Sequence, residues 1–422
     1  MELYGKILLI AIPIFFLLVL LEKGFDLYTG KGYVPTMDMM SSLSSGITNI
    51  VKDVLGLSIT ILSYEWMYEK LAIGHVESTF GSVAIAFILL DFQGYWVHRW
   101  SHEINIFWNK HAIHHSSEEF NLACALRQSI SEFVRLFTFF LLPAALIGVS
   151  PTIIAIIAPI HLFAQFWYHT RHLNRLGWLE NILVTPSHHR VHHAINPEYM
   201  DKNYSQIFIV WDKWFGTFQE ERSDIPAVYG IKRQANTWNP IKINFQHLWL
   251  LIKDALRTGS WSDKIKIWFK PTGWRPADML TSNPVNAVED VYHLNKWASI
   301  ENGWLKTWIW FQMLGVLGLL MYFFGHLAEI GTPGIYLYGL FIFIHIYAYT
   351  DLMDMNFGSV IASLLSLGLA LYIIQNNNGW FGLDEILSYG SYLVLTWVIL
   401  CSIGNIFLYF IFKNYTKKLN LA

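Results

Sequence analysis

The stretch that decides the fold runs from Thr79 to His115 and reads TFGSVAIAFILLDFQGYWVHRWSHEINIFWNKHAIHH. Its first part, up to Val97, is apolar enough to cross a bilayer as a helix, which takes about 20 mostly apolar residues. Its second part carries five histidines, and the first of them, His98, follows directly after the apolar run. The stretch therefore predicts a membrane helix that delivers imidazoles to the lipid boundary.

Histidine is concentrated in one part of the chain, since 12 of the 17 histidines fall between His98 and His193. Residues three and four apart share one face of a helix, so clusters with these spacings project their imidazoles in one direction. A lone histidine is usually a hydrogen-bonded core or surface residue, whereas three such clusters indicate metal binding. The clusters are His98 and His102; His111, His114 and His115; and His189, His192 and His193.

Eight clustered imidazoles are too many for one metal ion, because a tetrahedral site takes four ligands and an open catalytic site fewer. Two ions sharing the set is the simplest interpretation. Imidazole suits zinc, copper, iron and nickel alike, so the ligand type alone does not choose the metal. An all-nitrogen site at the lipid boundary favours the activation of dioxygen against a buried hydrocarbon chain. Hydrolytic zinc would more often recruit a carboxylate and a water channel.

Further side chains could complete this site. Asp91 lies inside the apolar run, where a carboxylate is costly and usually functional. It precedes His98 by seven residues and is expected on the same helix face, where it could accept the other ring N–H of that ligand; a bond to a neighbouring helix is the alternative. His169 is predicted as an additional ligand. His172 and His188 are weaker candidates, and packing or surface roles are expected for His75, His161, His247, His293, His326 and His345.

The composition indicates an integral membrane protein. Apolar residues make up 54% of the chain and charged residues 14%, whereas soluble domains carry about 25% charged residues. Trp and Tyr, which gather at membrane interfaces, number 19 and 21. The net charge of −2 offers no basic excess for nucleic acid, and the two distant cysteines predict neither a disulfide framework nor a zinc knuckle.

The apolar runs predict an all-α, multi-span membrane protein. The predicted spans are Leu8–Leu21, Leu55–Tyr68, Thr79–Val97, Phe133–Val149, Pro151–Tyr168, Thr307–Phe324, Ile335–Tyr349, Phe357–Ile374 and Ser391–Phe412. The first is expected to stay as an anchor, because Glu22 and Lys23 follow it in place of a small-residue cleavage site. The fourth and fifth are separated only by Ser150, so they are expected to form a tight helical hairpin.

A polar segment from His169 to Gly303 is predicted to form a histidine-rich catalytic cap at the membrane surface. Lys and Arg mark the cytoplasmic side; they are abundant from Arg171 to Lys306, and the loops Gly325–Gly334 and Gln375–Glu385 contain none. The cap is therefore placed in the cytoplasm, on the endoplasmic reticulum of a eukaryote or the inner membrane of a bacterium. The predicted divisions are an anchor over 1–78, a catalytic domain over 79–230, a cap segment over 231–303 and a four-span region over 304–422.

One segment of the cap has an amphipathic pattern. Between Phe245 and Arg257, the residues Phe245, Leu248, Trp249, Ile252 and Leu256 fall on one helical face, and Trp261, Trp268 and Trp274 follow. The pattern is typical of a helix that lies in the membrane interface. An ordinary buried helix of the cap would show it as well, so both interpretations stay open.

Longer segments around the clusters resemble the fatty acid hydroxylase and sterol desaturase superfamily and, within it, the alkylglycerol monooxygenase branch. The resemblance is dense over Asp91–Gln219 and thin elsewhere. It rests on the spacing of the eight histidines and on the segments His98–Asn105, His114–Glu118, Asn121, Ala125–Ser129, Thr185–His193, Asp201–Tyr204, Trp211–Lys213 and Phe215–Phe218.

The resemblance implies that the eight clustered histidines bind two iron ions, with dioxygen as oxidant and a pteridine such as tetrahydrobiopterin as reductant. It implies hydroxylation of the carbon next to the ether oxygen of an alkylglycerol, followed by collapse to a fatty aldehyde and glycerol. Glu103 matches an acidic residue that this branch places after the second histidine, with an implied part in pteridine use or in holding His102. The expected contacts to the lipid headgroup are Asn121, Arg127, Lys202 and Tyr204.

Two alternatives stay open at this point. Another hydroxylase or desaturase of the superfamily would act on a fatty acyl, sterol or carotenoid substrate. Outside enzymes, a metal transporter would place its ligands near the bilayer midplane, often in repeated halves, and a haem protein needs one or two axial ligands. The clusters lie at span ends and no repeat is visible, which favours the oxygenase. The electron donor and the oligomeric state are left open.

Overall fold

The computed structural model describes residues 2–300 and 302–419, with side chains over 5–300 and 302–413. Helices dominate it, which confirms the all-α prediction. In chain order the helices are α1 (Glu2–Thr29), α2 (Thr36–Val54), α3 (Tyr64–Leu71), α4 (Phe80–Glu103), α5 (Asn105–His115), α6 (Leu142–Leu146), α7 (Pro151–Phe163), α8 (Pro186–His193), α9 (Val210–Phe215), α10 (Pro240–Arg257), α11 (Trp261–Phe269), α12 (Ala277–Ser282), α13 (Gly303–Gly325), α14 (Leu327–Met353), α15 (Gly358–Asn376), α16 (Leu383–Ile386) and α17 (Gly390–Leu419).

Short elements complete the secondary structure of the described residues. The 3-10 helices span Cys124–Leu126, Phe137–Leu141 and Gly177–Asn181. A two-residue strand β1 (Ile59–Thr60) pairs in parallel with β2 (Val134–Arg135), with Ile59 opposite Val134. The pairing joins the start of the short apolar helices to the segment that precedes α3.

Within residues 2–300 and 302–419, six helices are long and apolar enough to cross a membrane: α1, α4, α13, α14, α15 and α17. They contain the predicted spans at Leu8–Leu21 and Thr79–Val97 and the four late spans, apart from Thr79 and Phe357, which are the N-cap residues of α4 and α15. Residues 420–422, which end the predicted four-span region, lie outside the described residues. The chain is an integral membrane protein.

Three predicted spans are wrong, because Leu55–Tyr68, Phe133–Val149 and Pro151–Tyr168 do not form helices long enough to cross a bilayer. Leu55–Tyr68 starts at the residue that follows α2 and contains the strand β1 and the start of α3, because Gly56 adopts a positive φ of 65° that ends α2. Phe133–Val149 forms β2, a 3-10 helix and the five-residue α6 instead of one continuous helix. Together with α7, which has 13 residues, it forms short apolar helices, none of them long enough to span a bilayer.

The sequence did not predict α2, because its composition of Met and Ser lacks a long apolar run. Its serines are nevertheless buried, and their hydroxyls are satisfied inside the protein. Ser44 Oγ, for example, donates to the carbonyl oxygen of Met40 at 2.6 Å and lies 2.7 Å from the hydroxyl of Tyr349 on α14. A serine-rich helix can therefore be buried when each hydroxyl has a partner.

The chain divides into two compact units. Unit 1 comprises Met1–Leu57, Asn236–Ile243 and Lys296–Ala422, and unit 2 comprises Ser58–Ala235 and Asn244–Asn295. In unit 1, α15 packs against α14 and α17. Its buried face carries the small residues Ser359, Ser363, Ser366 and Ala370, and small side chains allow membrane helices to approach closely.

Unit 2 is organised by α4, which begins with reciprocal capping between Thr79 and Ser82. After α4 the backbone extends for one residue at Ile104, and α5 begins at Asn105. The Asn105 side chain anchors this corner, since it donates to the carbonyl oxygens of Ile267 and Trp274, both at 2.9 Å, and accepts from the amide of Gly273 at 3.0 Å. The corner folds α5 back beside the last turn of α4.

Candidate metal centre

The histidine clusters converge in unit 2. The end of α4, the helices α5 and α8, and the segment after α7 direct their imidazoles to one place. Within the described residues the ligand atoms form two groups, and in each group they lie within 4.8 Å of one another. The five-histidine group is His98, His102, His111, His115 and His192; the four-histidine group is His114, His169, His189 and His193.

The short helix α8 contributes ligand atoms to both groups because of the spacing of its histidines. Pro186 occupies its first turn, where a missing N–H costs nothing and the fixed φ favours a helix. His189 and His193, four residues apart, share one face and enter the four-histidine group, whereas His192 turns toward the five-histidine group. In the same way, His111 and His115 of α5 enter the five-histidine group, and His114 enters the four-histidine group.

The separations of the ring nitrogens match those of ligands around one metal ion. Histidine binds transition metals at about 2.1 Å, so two ligands lie about 3.0 Å apart at a right angle and about 3.4 Å apart at a tetrahedral angle. In the five-histidine group, Nε2 of His111 lies 2.9 Å from Nε2 of His98 and 3.0 Å from Nε2 of His115. In the four-histidine group, Nε2 of His189 lies 2.9 Å from Nε2 of His169 and 3.1 Å from Nε2 of His193.

The protons of several rings are fixed by main-chain carbonyls. Nδ1 of His114 meets the carbonyl oxygen of Arg127 at 3.3 Å, and Nδ1 of His169 meets that of Gln165 at 3.0 Å. A carbonyl oxygen only accepts, so each Nδ1 carries the proton and each Nε2 presents a lone pair. These two Nε2 atoms face each other at 3.4 Å. Opposed lone pairs repel, and a cation bound by both rings within the four-histidine group would turn this repulsion into attraction.

Burial keeps the imidazoles in the neutral form that a metal requires. Desolvation lowers the pKa of His114 to about 3 and lowers the pKa values of His115, His189 and His193 well below the usual value. Neighbouring imidazoles in the cluster act in the same direction. The groups therefore stay uncharged at neutral pH and can donate their lone pairs.

One buried atom supports the same interpretation. Nε2 of His102 is buried and has no hydrogen-bond partner among the described residues. An unsatisfied buried polar atom is costly, on the order of 1–3 kcal/mol. A metal ion bound by the five-histidine group would satisfy it, so the residues fit a centre of two ions.

Asp91 differs from the expected arrangement. The predicted contact to His98 is replaced, because Nδ1 of His98 meets the carbonyl oxygen of Tyr204 at 2.7 Å. Asp91 instead accepts from Nε2 of His161 at 2.7 Å and from the indole N–H of Trp211 at 2.8 Å. Its carboxylate also accepts from the backbone amides of residues 207 and 208 at 2.9 and 3.0 Å. The Asp91 carboxylate therefore accepts four hydrogen bonds, one of them from His161 on α7.

His161 was expected to pack without a special role, yet it connects Asp91 to the four-histidine group. Its Nδ1 lies 3.2 Å from the side-chain amide of Gln165, and the carbonyl oxygen of Gln165 accepts from His169. The sequence signal was present, since His161, Gln165 and His169 are spaced by four residues. Hydrogen bonds thus link Asp91 to His169 through the side chain of His161 and through the side chain and the main-chain carbonyl of Gln165.

Glu103 does not hold His102. Its carboxylate accepts from Nε of Arg99 at 2.8 Å on the partly exposed side of α4. A different carboxylate approaches His102: Oδ1 of Asp201 lies 3.9 Å from Nδ1 of His102. The Asp201 side chain is 61% exposed, and partial desolvation together with the nearby charge of Glu103 raises its pKa. Sequence reasoning missed Asp201 as a neighbour of the site.

Of the residues predicted to contact the lipid headgroup, three support the histidine groups through their main-chain carbonyls. The carbonyl oxygens of Arg127, Lys202 and Tyr204 accept from His114, His192 and His98. The guanidinium of Arg127 donates to Ser116 Oγ at 2.8 Å, and Asn121 Oδ1 caps a short turn by accepting from the amide of Cys124. These side chains build the site's walls and loops.

The loop over Asp201–Tyr204 requires special backbone angles. Asp201 and Asn203 have positive φ values of 59° and 56°, a region that Asp and Asn tolerate better than most residues. The buried carboxylate of Asp212 holds the next residues, because it accepts from the amides of Tyr204 and Ser205 at 2.8 Å. Asp212 thus holds this loop in place, a role that the sequence pattern did not predict.

The remaining histidines lie outside both groups. His188 points toward Phe218, and Nε2 of His247 lies 2.9 Å from the carbonyl oxygen of Asn105. His293 is exposed and bonds to Asp290, and His75 bonds to Tyr68. His172, His326 and His345 also lie apart from the groups. Of the additional candidates, only His169 joins a group of ligand atoms in the described part of the chain.

Comparison with known proteins supports the same family. Residues 83–217 match the family described as fatty acid hydroxylase. The chain is 39% identical to alkylglycerol monooxygenase from Homo sapiens over 269 residues, which cover 63% of this chain and 59% of the relative. The relative of the same name from Danio rerio is 36% identical over 270 residues, with the same coverage of 63% and 59%.

A bacterial relative is more distant. Ornithine lipid hydroxylase from Rhizobium tropici is 27% identical over 136 residues, which cover 32% of this chain and 41% of the relative. No solved structure matches the chain. The matched segments span 59% of the alkylglycerol monooxygenases from Homo sapiens and Danio rerio. The expected resemblance is thus confirmed: residues 83–217 match the fatty acid hydroxylase family, and the chain is similar over a longer stretch to alkylglycerol monooxygenases.

Proposed function

We propose that this chain is a membrane di-iron monooxygenase that hydroxylates an alkylglycerol at the carbon next to the ether oxygen. The observation that carries the proposal is the pair of adjacent imidazole groups, whose ring nitrogens face one another at ligand-to-ligand separations. The similarity to alkylglycerol monooxygenases supports the choice of substrate. Imidazole alone would also suit other metals, so iron follows from the family and not from the ligand set.

The overall reaction balances with a two-electron reductant. One oxygen atom of dioxygen enters the C–H bond, and the other leaves as water with two electrons and two protons from a tetrahydropteridine such as tetrahydrobiopterin. The resulting hemiacetal loses its C–O bond to glycerol, so the products are a fatty aldehyde and glycerol. Two iron ions, when bound, supply the activation of dioxygen.

The protein's own residues orient the ligands and exclude water. Main-chain carbonyls fix the ring tautomers of His98, His114, His169 and His192. Aromatic rings surround the groups: the ring centroid of Trp108 lies 5.1 Å from that of His102, and the centroid of Phe120 lies 5.2 Å from that of His193. A dry apolar wall of this kind suits an alkyl chain and protects a reactive oxidant.

We place this centre on the cytoplasmic side of the membrane. Basic residues are abundant between Arg171 and Lys306, whereas the loops Gly325–Gly334 and Gln375–Glu385 contain none. An excess of Lys and Arg marks cytoplasmic segments. Glu103 lies at the exposed end of α4 beside Arg99 and is proposed to contribute to pteridine use.

The test uses the full chain, produced with iron, in lipid nanodiscs with an alkylglycerol, tetrahydrobiopterin and oxygen. We expect fatty aldehyde and about two irons per chain, and we expect His169→Ala to lose most activity and about one iron. His293→Ala, at an exposed histidine of the same unit, should change neither quantity. Two iron atoms without aldehyde would exclude this substrate.

The alternative function is hydroxylation of a different lipid, and the similarity to ornithine lipid hydroxylase favours it. Such a substrate carries no ether oxygen beside the hydroxylated carbon, so the product would be a stable alcohol. Mass spectrometry of the lipid extract distinguishes an added oxygen atom from a released aldehyde. Less than one iron per chain after production with iron would point instead to metal transport.

A further inference from the structure

Helix α11 carries an apolar stripe that faces away from the protein. Trp261, Ile265 and Phe269 are spaced by four residues, so they share one helix face, and they are 79%, 67% and 68% exposed. Ile267, on the opposite face, is fully buried. One side of α11 therefore packs on unit 2, while the other presents large apolar side chains to the surroundings.

The end of α10 adjoins this stripe and extends it. The ammonium of Lys264 on α11 donates to the carbonyl oxygens of Ala255 and Leu256 on α10, at 2.9 and 3.0 Å, and lies over the ring of Trp261. Leu256 is 73% exposed and Trp249, two turns earlier, is 58% exposed. We call Trp249, Leu256, Trp261, Ile265 and Phe269 the α10–α11 face.

Hydrogen bonds tie the end of α11 to the end of a membrane-spanning helix. The amide of Asn105 donates to the carbonyl oxygen of Lys270 at 3.0 Å, and the amide of Thr272 donates to that of Glu103 at 3.1 Å. Glu103 is the last residue of α4, whose apolar length spans Phe80–Glu103. A helix bound to the end of a span lies at the level of the lipid headgroups.

Cations border the apolar residues of the face. Arg257, Lys266 and Lys270 are exposed on α10, on α11 and at its C-terminal end, next to Leu256, Ile265 and Phe269 in sequence. Apolar residues with Trp on one side and basic residues beside them are typical of helices that lie in the interface of an anionic bilayer. The charge of the rim thus matches one occupant, a membrane with anionic headgroups.

We propose that the α10–α11 face is a second membrane contact, which inserts Trp261, Ile265 and Phe269 between lipid headgroups and prefers anionic lipids. The contact would hold the cap flat on the bilayer beside the exit of α4. The proposal concerns the lipid surface alone and does not depend on the metal, the substrate or the chemistry proposed above.

The test places a fluorophore on the stripe in the full chain. Both native cysteines are buried, so Ile265→Cys offers a selective site for an environment-sensitive label. The protein is reconstituted in nanodiscs of phosphatidylcholine with or without phosphatidylglycerol, and quenching by lipid-borne and by aqueous quenchers is compared. Ser223→Cys, at an exposed polar residue of the same unit, is the matched control.

We expect the lipid-borne quencher to act several-fold more strongly at position 265 than at position 223, and most strongly with phosphatidylglycerol. Lys266→Glu combined with Lys270→Glu should remove that preference for anionic lipid.

Equal access of the aqueous quencher at both positions would overturn the proposal. Shielding that depends on protein concentration would also overturn it, because a second copy of the chain would then cover the face. Equal quenching in both lipid compositions would overturn the preference for anionic headgroups.

Discussion

At the scale of single residues, the spacing of the histidines carried most of the information. Each of the eight clustered histidines enters one of the two groups, and His169 joins them. The supporting residues could not be read from spacing, because their contacts come from main-chain carbonyls such as that of Gln165 and Tyr204. Every residue type has a main-chain carbonyl oxygen, so these partners cannot be predicted from residue types.

Asp91→Asn should destabilise unit 2 and weaken metal retention. The amide of asparagine would present N–H groups to some of the donors that the carboxylate now accepts, and at least one buried donor on Ile207, Phe208 or Trp211 would lose its partner. Since hydrogen bonds to charged groups contribute about 1.5–3 kcal/mol each, we expect the free energy of unfolding to fall by about 2–4 kcal/mol. Thermal unfolding and metal content of the purified variant measure the two effects.

The matched variant is Trp211→Phe, which removes a single donor to the same carboxylate. It should lower the free energy of unfolding by about 1–2 kcal/mol and leave the metal content near that of the parent chain. If both variants were equally mild, the network around Asp91 would not support the histidine groups.

At the scale of elements, the short helices that hold the ligands are weak by themselves. Helix α8 has eight residues, and α5 has 11. Isolated helices of this length are marginal in water, so packing and a bound ion must stabilise them. By contrast, α14 and α15 are long, apolar and packed against each other.

Metal removal should therefore act on α5 and α8 and not on the long spans. After chelation, we expect amide exchange in α5 and α8 to accelerate at least about tenfold, because binding free energy contributes to local stability. Exchange in α14 and α15 should stay unchanged. Hydrogen exchange with mass spectrometry compares the two states, and unaltered protection of α8 in verified metal-free protein would contradict the expectation.

At the scale of the whole molecule, the buried histidines of unit 2 make its stability depend on pH. Unit 2 buries neutral imidazoles, and burial lowers the pKa of His114 to about 3, compared with about 6.5 for an exposed imidazole. As the pH falls below about 6.5, the unfolded chain takes up protons that the folded chain does not. Stability from this source is therefore complete above that pH and is lost progressively as the pH falls toward 3.

Acid should release the metal together with the unfolding of unit 2. The ligands resist protonation while unit 2 stays folded, and each such histidine contributes about 1.4 kcal/mol per pH unit in favour of unfolding. A pH titration that follows metal content and hydrogen exchange should give one shared midpoint for the two signals. Metal release at a distinctly higher pH than unfolding would show that protons reach the ligands in the folded state.

The sequence by itself determined the membrane class, the late spans and the histidine groups, because apolar runs and i, i+3, i+4 spacing are local properties. It predicted spans at Leu55–Tyr68, Phe133–Val149 and Pro151–Tyr168 wrongly and did not predict α2, since partners distant in sequence decide those segments. Only the tertiary structure decided that Asp91 meets His161 and that Asp201 approaches His102. The physical reason is that a hydrogen bond satisfies a buried charge wherever the fold brings a donor, and sequence distance does not record that encounter.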